Sequence, residues 1–134
     1  MTTQTQTLQQ QYDFFLILDF EAVWHPDYNW PAEIIEFPTV LINATTLKME
    51  SEFHHYVKTK ENKFLNDFCK QQTGIQQEWV DNGKYLEEVI QDFENWFTQN
   101  NLHDKRLIFV TCGDWDLGKM LPEQCARENI KMPE

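Results

Sequence analysis

Two apolar runs, each ending on acidic residues, constrain this chain more than anything else in it. Phe14 to Leu18 (FFLIL) is apolar and β-prone throughout, then stops at Asp19, with Glu21 two positions on. Arg106 to Cys112 (RLIFVTC) gives a second such segment, followed by Gly113, Asp114 and Asp116. A run without alternation predicts a central strand covered on both faces, because a strand with one face in water needs only every second residue apolar.

Between these runs the patterning changes from strand to helix. After a loop of turn formers (His25-Pro26-Asp27, Trp30-Pro31), Ile34 to Ile42 predicts a second strand, in which Pro38 implies a bulge or an edge position. Asn43 to Thr46 suits a hairpin turn, and Leu47 to Val57 returns as a third strand, so the first three should form an antiparallel meander. Phe64, Leu65, Phe68 and Cys69 make a short helical stripe after Asn62, a suitable N-cap, and Thr73-Gly74-Ile75 ends it. Asp81-Asn82-Gly83 marks a turn. Leu86, Val89, Ile90, Phe93, Trp96 and Phe97 then recur at helical period opposite Glu87, Glu88, Asp92 and Glu94. Beyond Cys112, Asp114 can cap a helix running on from Trp115, which Pro122 should kink or restart.

The order β-β-β-α-α-β-α carries a helical crossover, which places the fourth strand parallel to the first. That is the opening of a ribonuclease-H-like α/β fold: a mixed sheet, antiparallel meander plus parallel strand, flanked by helices. Such a fold calls for a further helix, strand and closing helix, so the expectation is an architecture incomplete at its C-terminus. Residues 1–11 (MTTQTQTLQQQ) are polar and repetitive and are expected to be disordered, leaving residues 12–134 as one partial domain.

Composition narrows the classes of function. The opening segment has neither a basic start nor an apolar core, so it does not read as a signal peptide, and no apolar run approaches bilayer length. A soluble intracellular protein, cytoplasmic and/or nuclear, with no membrane partner is expected. Cys69, Cys112 and Cys125 are odd in number and widely spaced, which argues for buried thiols over disulfides or zinc. His54 and His55 are adjacent and read as surface residues. The formal charge of −11 argues against duplex binding driven by basic residues. Residues 1–47 carry six acids and no Lys or Arg, whereas Lys58 to Lys70 holds four lysines against Glu61 and Asp67. An acidic centre beside a modest basic stretch suits an enzyme that meets phosphates through metal ions; a solvated acidic surface explains the total charge equally well.

Asp19 and Glu21, two apart on an extended segment, project to the same side as Phe15 and Ile17. Two carboxylates at the mouth of a core either take up protons or are held ionised by a cation. A hard divalent ion takes oxygen ligands and keeps positions open for phosphate oxygens. One D-x-E alone is better read as a strand's exit into solvent. Asp116 changes the weighing: if the two apolar strands are neighbours, their C-terminal ends bring it beside the other two, at the edge where open α/β sheets bind ligands. On its own, Asp116 would be a first-turn acid stabilised by the helix dipole.

Four ordered motifs carry a family resemblance: LDFEA (Leu18–Ala22), EIIEFP (Glu33–Pro38), the segment from Asp67-Phe68-Cys69 to Thr73-Gly74-Ile75, and TCGDWDL (Thr111–Leu117). From about Tyr12 to the C-terminus the chain resembles the DEDDh 3′–5′ exonucleases, in the branch of the histone-mRNA exonuclease and the prion-protein-interacting-protein exoribonucleases. The resemblance implies Asp19, Glu21 and Asp116 as catalytic metal ligands for two ions, Mg²⁺ or Mn²⁺, with Asp19 bridging them. It implies Phe20, Ala22, Phe68, Thr73 and Trp115 as the lining of a pocket for the 3′-terminal nucleotide; the alternative for each aromatic is ordinary core packing, and for Phe20 the two readings weigh equally. The implied activity is release of nucleoside 5′-monophosphates from single-stranded RNA 3′ ends, with a histidine deprotonating the attacking water.

The sequence also departs from that pattern. The family's histidine and fourth aspartate belong to a later motif, and here no His follows His103 and no Asp follows Asp116. Val23 stands where relatives usually have Thr, and Gln72 where an apolar residue is common. The expectation is therefore a truncated form with little activity, low stability and exposed apolar sheet. The competing reading is an inactive remnant that binds nucleic acid or a protein. A haloacid-dehalogenase phosphatase would need a second Asp where Glu21 stands and is disfavoured.

Overall fold

The computed structural model describes residues 9–133. Most of the segment expected to be disordered, residues 1–8, lies outside them, and residues 9–11 are exposed and belong to no element. Strand β1 (Phe14–Leu18) pairs antiparallel with β3 (Glu33–Asn43), which pairs antiparallel with β4 (Met49–Lys58). On its other side β1 pairs in parallel with β6 (Leu107–Val110), Phe14 opposite Leu107 and Ile17 opposite Val110. The short β5 (Lys84–Tyr85) lies parallel to β4, so the order is β5-β4-β3-β1-β6, while β2 (Glu21–Val23) pairs with β3 alone. The mixed sheet is thus the expected one. The β3–β4 hairpin turns where Asn43 predicts it: its side-chain Oδ1 accepts from the N–H groups of Thr45 and Thr46.

Pro38 is neither on an edge nor at a bulge. β3 lies inside the sheet, and Pro38 falls where β3 passes from β2 (paired at Glu33–Glu36) to β1 (paired from Thr39), so its missing donor lies at the handover. The register slip lies beside it instead, between Glu21 and Ala22. That extra residue puts Ile34 and Phe37 in one core and Ile35 in the other.

Helix α3 (Leu86–Gln99) lays Leu86, Val89, Ile90, Phe93 and Trp96 on the sheet face formed by Leu16, Leu18, Phe37 and Leu41. Each such burial is worth about 1.5–3 kcal/mol, which is why this helix is written so clearly in the sequence. Across the sheet, α1 (Asp67–Thr73) and α2 (Gln77–Asp81) form a smaller core of Val23, Ile35, Leu65, Cys69, Ile75 and Val80. The N-cap of α1 is Asn66, whose Oδ1 accepts from Cys69 N, and not Asn62, which is buried and bonded to Glu33 and Pro31. Helix α2 was not expected.

The expectation that β1 is covered on both faces fails. Leu16 and Leu18 are buried, but Ile17 is 44% exposed and its parallel partner Val110 42%. The helices cover one face at β1, and the second core lies further along the sheet; β6, expected to be a buried strand as well, leaves both Phe109 (38% exposed) and Val110 open on opposite faces. Cys69 and Cys125 are buried as expected, whereas Cys112 is exposed. Among the described residues no helix is long and apolar enough to cross a membrane.

Candidate metal-binding active site

Past Leu18 the chain leaves β1 and re-enters the sheet as β2, so Asp19 and Phe20 occupy the joint between two strands. Past Val110 the chain turns through Gly113 (φ +86°) into a π-helical turn, Asp116–Met120, and then α4 (Leu121–Arg127), with Pro122 in its first turn. A π-helical turn shifts its side chains relative to an α-helix and recurs at functional sites. Asp114 serves this turn through its carbonyl, which accepts from Gly118 N, rather than through a side-chain cap.

The parallel pairing of β1 and β6 brings the two joints together. Asp116, 5% exposed, accepts at Oδ2 the backbone N–H of Phe20 at 2.9 Å. Phe20 lies between Asp19 and Glu21 in the chain, so that single bond holds the third carboxylate against the segment bearing the other two. Their electrostatics show the proximity. Burial pushes the Glu21 carboxyl above its ordinary pKa, and the charges of Asp19, Glu36 and Asp116 add to the rise. Burial also raises Asp116, with Asp19 adding to it and the Phe20 N–H opposing.

Glu36 is a fourth acid that the sequence reading did not place. It is the cross-strand partner of Glu21, so both side chains leave the same face, and it sits 3.3 Å from the His54 imidazole. The signal was available in the pairing of β2 with β3, but β2 is only three residues long and was not predicted.

The donor set fits a hard divalent ion: oxygen ligands only, two of the acids raised by burial and mutual repulsion, a strain that a cation relieves. Among the described residues no three His, Cys, Asp or Glu side chains already close around one point as a metal cage. The carboxylates are neighbours sharing a field, and Asp19, which is exposed, is the one with freedom to turn inward.

The expected pocket residues divide by their surroundings. Phe68 (68% exposed) and Trp115 (44%) present aromatic surface to solvent. The ring of Phe20 is buried against Phe37 at 4.6 Å between centroids, so Phe20 meets the site through its backbone. Ala22 accepts a bond from the Cys69 thiol at its carbonyl. Thr73 ends α1: its hydroxyl donates to Cys69 O and accepts from Ile75 N.

Buried polar residues outside the predicted set stiffen this end of the sheet. Glu33, 1% exposed, accepts from the N–H groups of Lys60, Glu61 and Asn62 and from the Asn62 amide. Gln124 accepts from Ile34 N at 2.8 Å, tying α4 to the slipped register of β3. A mainly apolar cavity of about 650 Å³ lies between the sheet and α3, lined by Leu18, Phe93, Phe97, Phe109 and Leu117 among others; Leu18 and Leu117 adjoin Asp19 and Asp116 in the chain.

Comparison with known proteins agrees with this arrangement. The exonuclease family model (RNase_T) matches residues 16–133. ERI1 exoribonuclease 3 of Homo sapiens is 45% identical over 118 residues, covering 87% of this chain and 35% of that protein. The 3′-5′ exonuclease Snipper of Drosophila melanogaster is 38% identical over 143 residues, covering 92% of this chain and 50% of the relative. This chain therefore spans about a third to a half of the length of these relatives. Among solved structures, the nuclease domain of 3′hExo, a DEDDh family member bound to rAMP, superposes with a TM-score of 0.87 at 36% identity, over 94% of this chain and 64% of that one. A 3′-exonuclease recognising the 3′ end of the histone mRNA stem-loop gives 0.85 at 35% identity, over 93% and 57%. With the fold, the neighbouring carboxylates and a family model matched along nearly its whole length, the chain belongs to the exonuclease family, in its DEDDh group.

Proposed function

We propose that this chain carries the carboxylate-bearing part of a divalent-metal-dependent 3′–5′ exoribonuclease that removes nucleoside 5′-monophosphates from single-stranded RNA ends, with Mg²⁺ or Mn²⁺ as the ion. In this reading Asp19, Glu21 and Asp116 would hold the ions. The observation that carries it is the Phe20 N–H bond to Asp116, which brings acids 97 residues apart in sequence to one sheet edge. Bound divalent ions supply Lewis-acid polarisation of the scissile phosphate and of the attacking water.

The chain's own residues have three tasks in this proposal. The Phe20 N–H keeps the buried Asp116 carboxylate oriented. The exposed faces of Phe68 and Trp115 stack on the 3′-terminal base, with Ala22 and Thr73 closing the pocket; stacking suits any base because every base has a π-face. Glu33, through its bonds to residues 60–62, braces the loop that leads into α1. The relative solved with rAMP supports a terminal mononucleotide as the bound unit, and the histone stem-loop complex supports RNA 3′ ends as the substrate class.

Loss of a general base costs about 10²–10⁴-fold in rate. Since no histidine follows His103 in the 134 residues, their turnover should be slow. The test is a single-turnover assay on 5′-labelled single-stranded RNA with Mg²⁺ or Mn²⁺. A slow ladder shortening one nucleotide at a time from the 3′ end, abolished by Asp19→Ala, supports the proposal; internal cuts or 5′-directed loss overturn it. Binding of AMP without any hydrolysis would instead favour the second reading, a catalytically silent nucleic-acid-binding module.

A further inference from the structure

We infer that the loop between β2 and β3 forms, with the start of α1, a second stacking platform for an unpaired nucleobase upstream of the 3′ terminus. The inference rests on the proposed exonuclease reading and adds a second site to it. Its starting point is a buried histidine in a surface loop. His25, 3% exposed, donates from Nε2 to the carbonyl of Phe64 at 2.6 Å. Around that fixed imidazole stand Tyr28, Trp30 and Phe64, with ring centroids 5.7, 5.0 and 4.8 Å away, all edge-on. Tyr28 and Trp30 stack on each other at 4.5 Å and 11°. The N-cap residue Asn66 donates from Nδ2 to Trp24 O at 2.8 Å, so the loop is bonded to the start of α1 at two points.

This bracing does not bury the aromatics. Trp24 is 60% exposed, Tyr28 49%, Phe64 42% and Phe68 68%. Together they line a cavity of about 560 Å³ with His25, Asp27 and Asn66. Several large aromatic surfaces left in water together on a braced loop mark a binding surface. Flat faces with a few polar groups at the rim match a nucleobase, which offers a π-face and a hydrogen-bonding edge.

Continuity with the carboxylate site decides the occupant. Phe68, which stacks on the terminal base in the proposed function, also lines this cavity. Trp24 follows β2 directly, about 10 Å along an extended strand from Glu21. RNA with its last nucleotide at the carboxylates would lay a preceding base against Trp24.

The experiment measures equilibrium binding of 5′-AMP and of phosphorothioate-linked oligoadenylates of two to four nucleotides, whose linkages resist cleavage, to the 134-residue chain. Lengthening the ligand should tighten binding about 5–160-fold, the worth of one stacked base. Trp24→Ala should remove most of that gain while AMP binds as before, and Trp24→Phe should keep it. Trp79→Ala, which removes another exposed tryptophan packed on Tyr56, should leave both affinities unchanged. AMP binding with no gain from length, or a gain untouched by Trp24→Ala, overturns the platform and leaves the exonuclease reading standing. Failure of AMP and oligonucleotides alike overturns both.

Discussion

Asp116 is nearly buried, lies beside two other acids and is held by one backbone N–H. Asp116→Asn keeps an oxygen for the Phe20 N–H while removing the charge, so it separates chemistry from folding. Metal-dependent hydrolysis should fall by roughly 10²–10³-fold, the scale of losing one electrostatic stabiliser of a transition state, with the far-UV spectrum unchanged. Full activity in this variant would remove Asp116 from the ligand set. The same residues set a pH dependence. Both Glu21 and Asp116 have raised carboxyl pKa values, first through burial and then through neighbouring acids. The folded state therefore holds their protons more tightly than the unfolded one. Their contribution to metal-free stability is most favourable below the ordinary carboxylate range and declines as pH rises through the raised values. A divalent ion should cancel that loss. At neutral pH and an ion concentration a hundredfold above Kd, stability should rise by about 2.7 kcal/mol, read as a higher Tm. The gain should vanish in Asp116→Asn, and a wild-type Tm indifferent to Mg²⁺ and Mn²⁺ would contradict the shared-ion reading.

At the scale of elements, the legible ones are those whose burial is periodic. Helix α3 was readable because five of its residues bury at helical spacing. Helix α2 was not: it has five residues, buries only Val80 and has no side-chain cap, so local sequence gives it almost no support. Its position depends on a close approach instead. A methyl group at Gly83, just past α2, would meet the carbonyl oxygen of Tyr56 in β4 at 2.5 Å, and that backbone cannot rotate away. Gly83→Ala should therefore cost about 1–3 kcal/mol, as other overpacking does, measured by urea unfolding. A change below about 0.5 kcal/mol, the level of a neutral surface substitution, would show that α2 and β5 can shift. Asn62 teaches the same lesson. Its sequence context suggests a cap, yet a tertiary partner, the Glu33 carboxylate, takes its side chain, and Asn66 caps α1.

The whole molecule is a sheet with unequal cover. Its α3 face is covered over β1, β3 and β4 but leaves Phe109 of β6 38% exposed, while Ile17 and Val110, paired across β1 and β6, stay more than 40% exposed on the other. Contiguous apolar surface of this kind favours self-association. The double variant Ile17→Lys, Val110→Lys should reduce light scattering and the binding of a hydrophobic dye at equal concentration, with Tm within a few degrees of wild type. Loss of cooperative unfolding in that variant would mean that the two residues are core and not surface. Low stability and weak turnover of the 134-residue chain remain expectations of the sequence reading, testable in the same melts and assays.

By itself the sequence determined the order of the longer elements, the meander with its parallel crossover, the end of α1 at Gly74, the helix restarting at Pro122, and the family. Each rests on local chemistry or on a periodicity that repeats within one element. Only the tertiary structure decided which faces of β1 meet water, how β3 is shared by β1 and β2 at Pro38, and that Glu36 joins the acidic cluster. Those depend on strand register, and a slip of one residue exchanges the faces of a strand. The slip opposite Ile35 carries no mark that a single sequence reveals. The Phe20 N–H bond to Asp116 belongs to the same class, since a contact between residues 96 apart exists only once the sheet has closed between them.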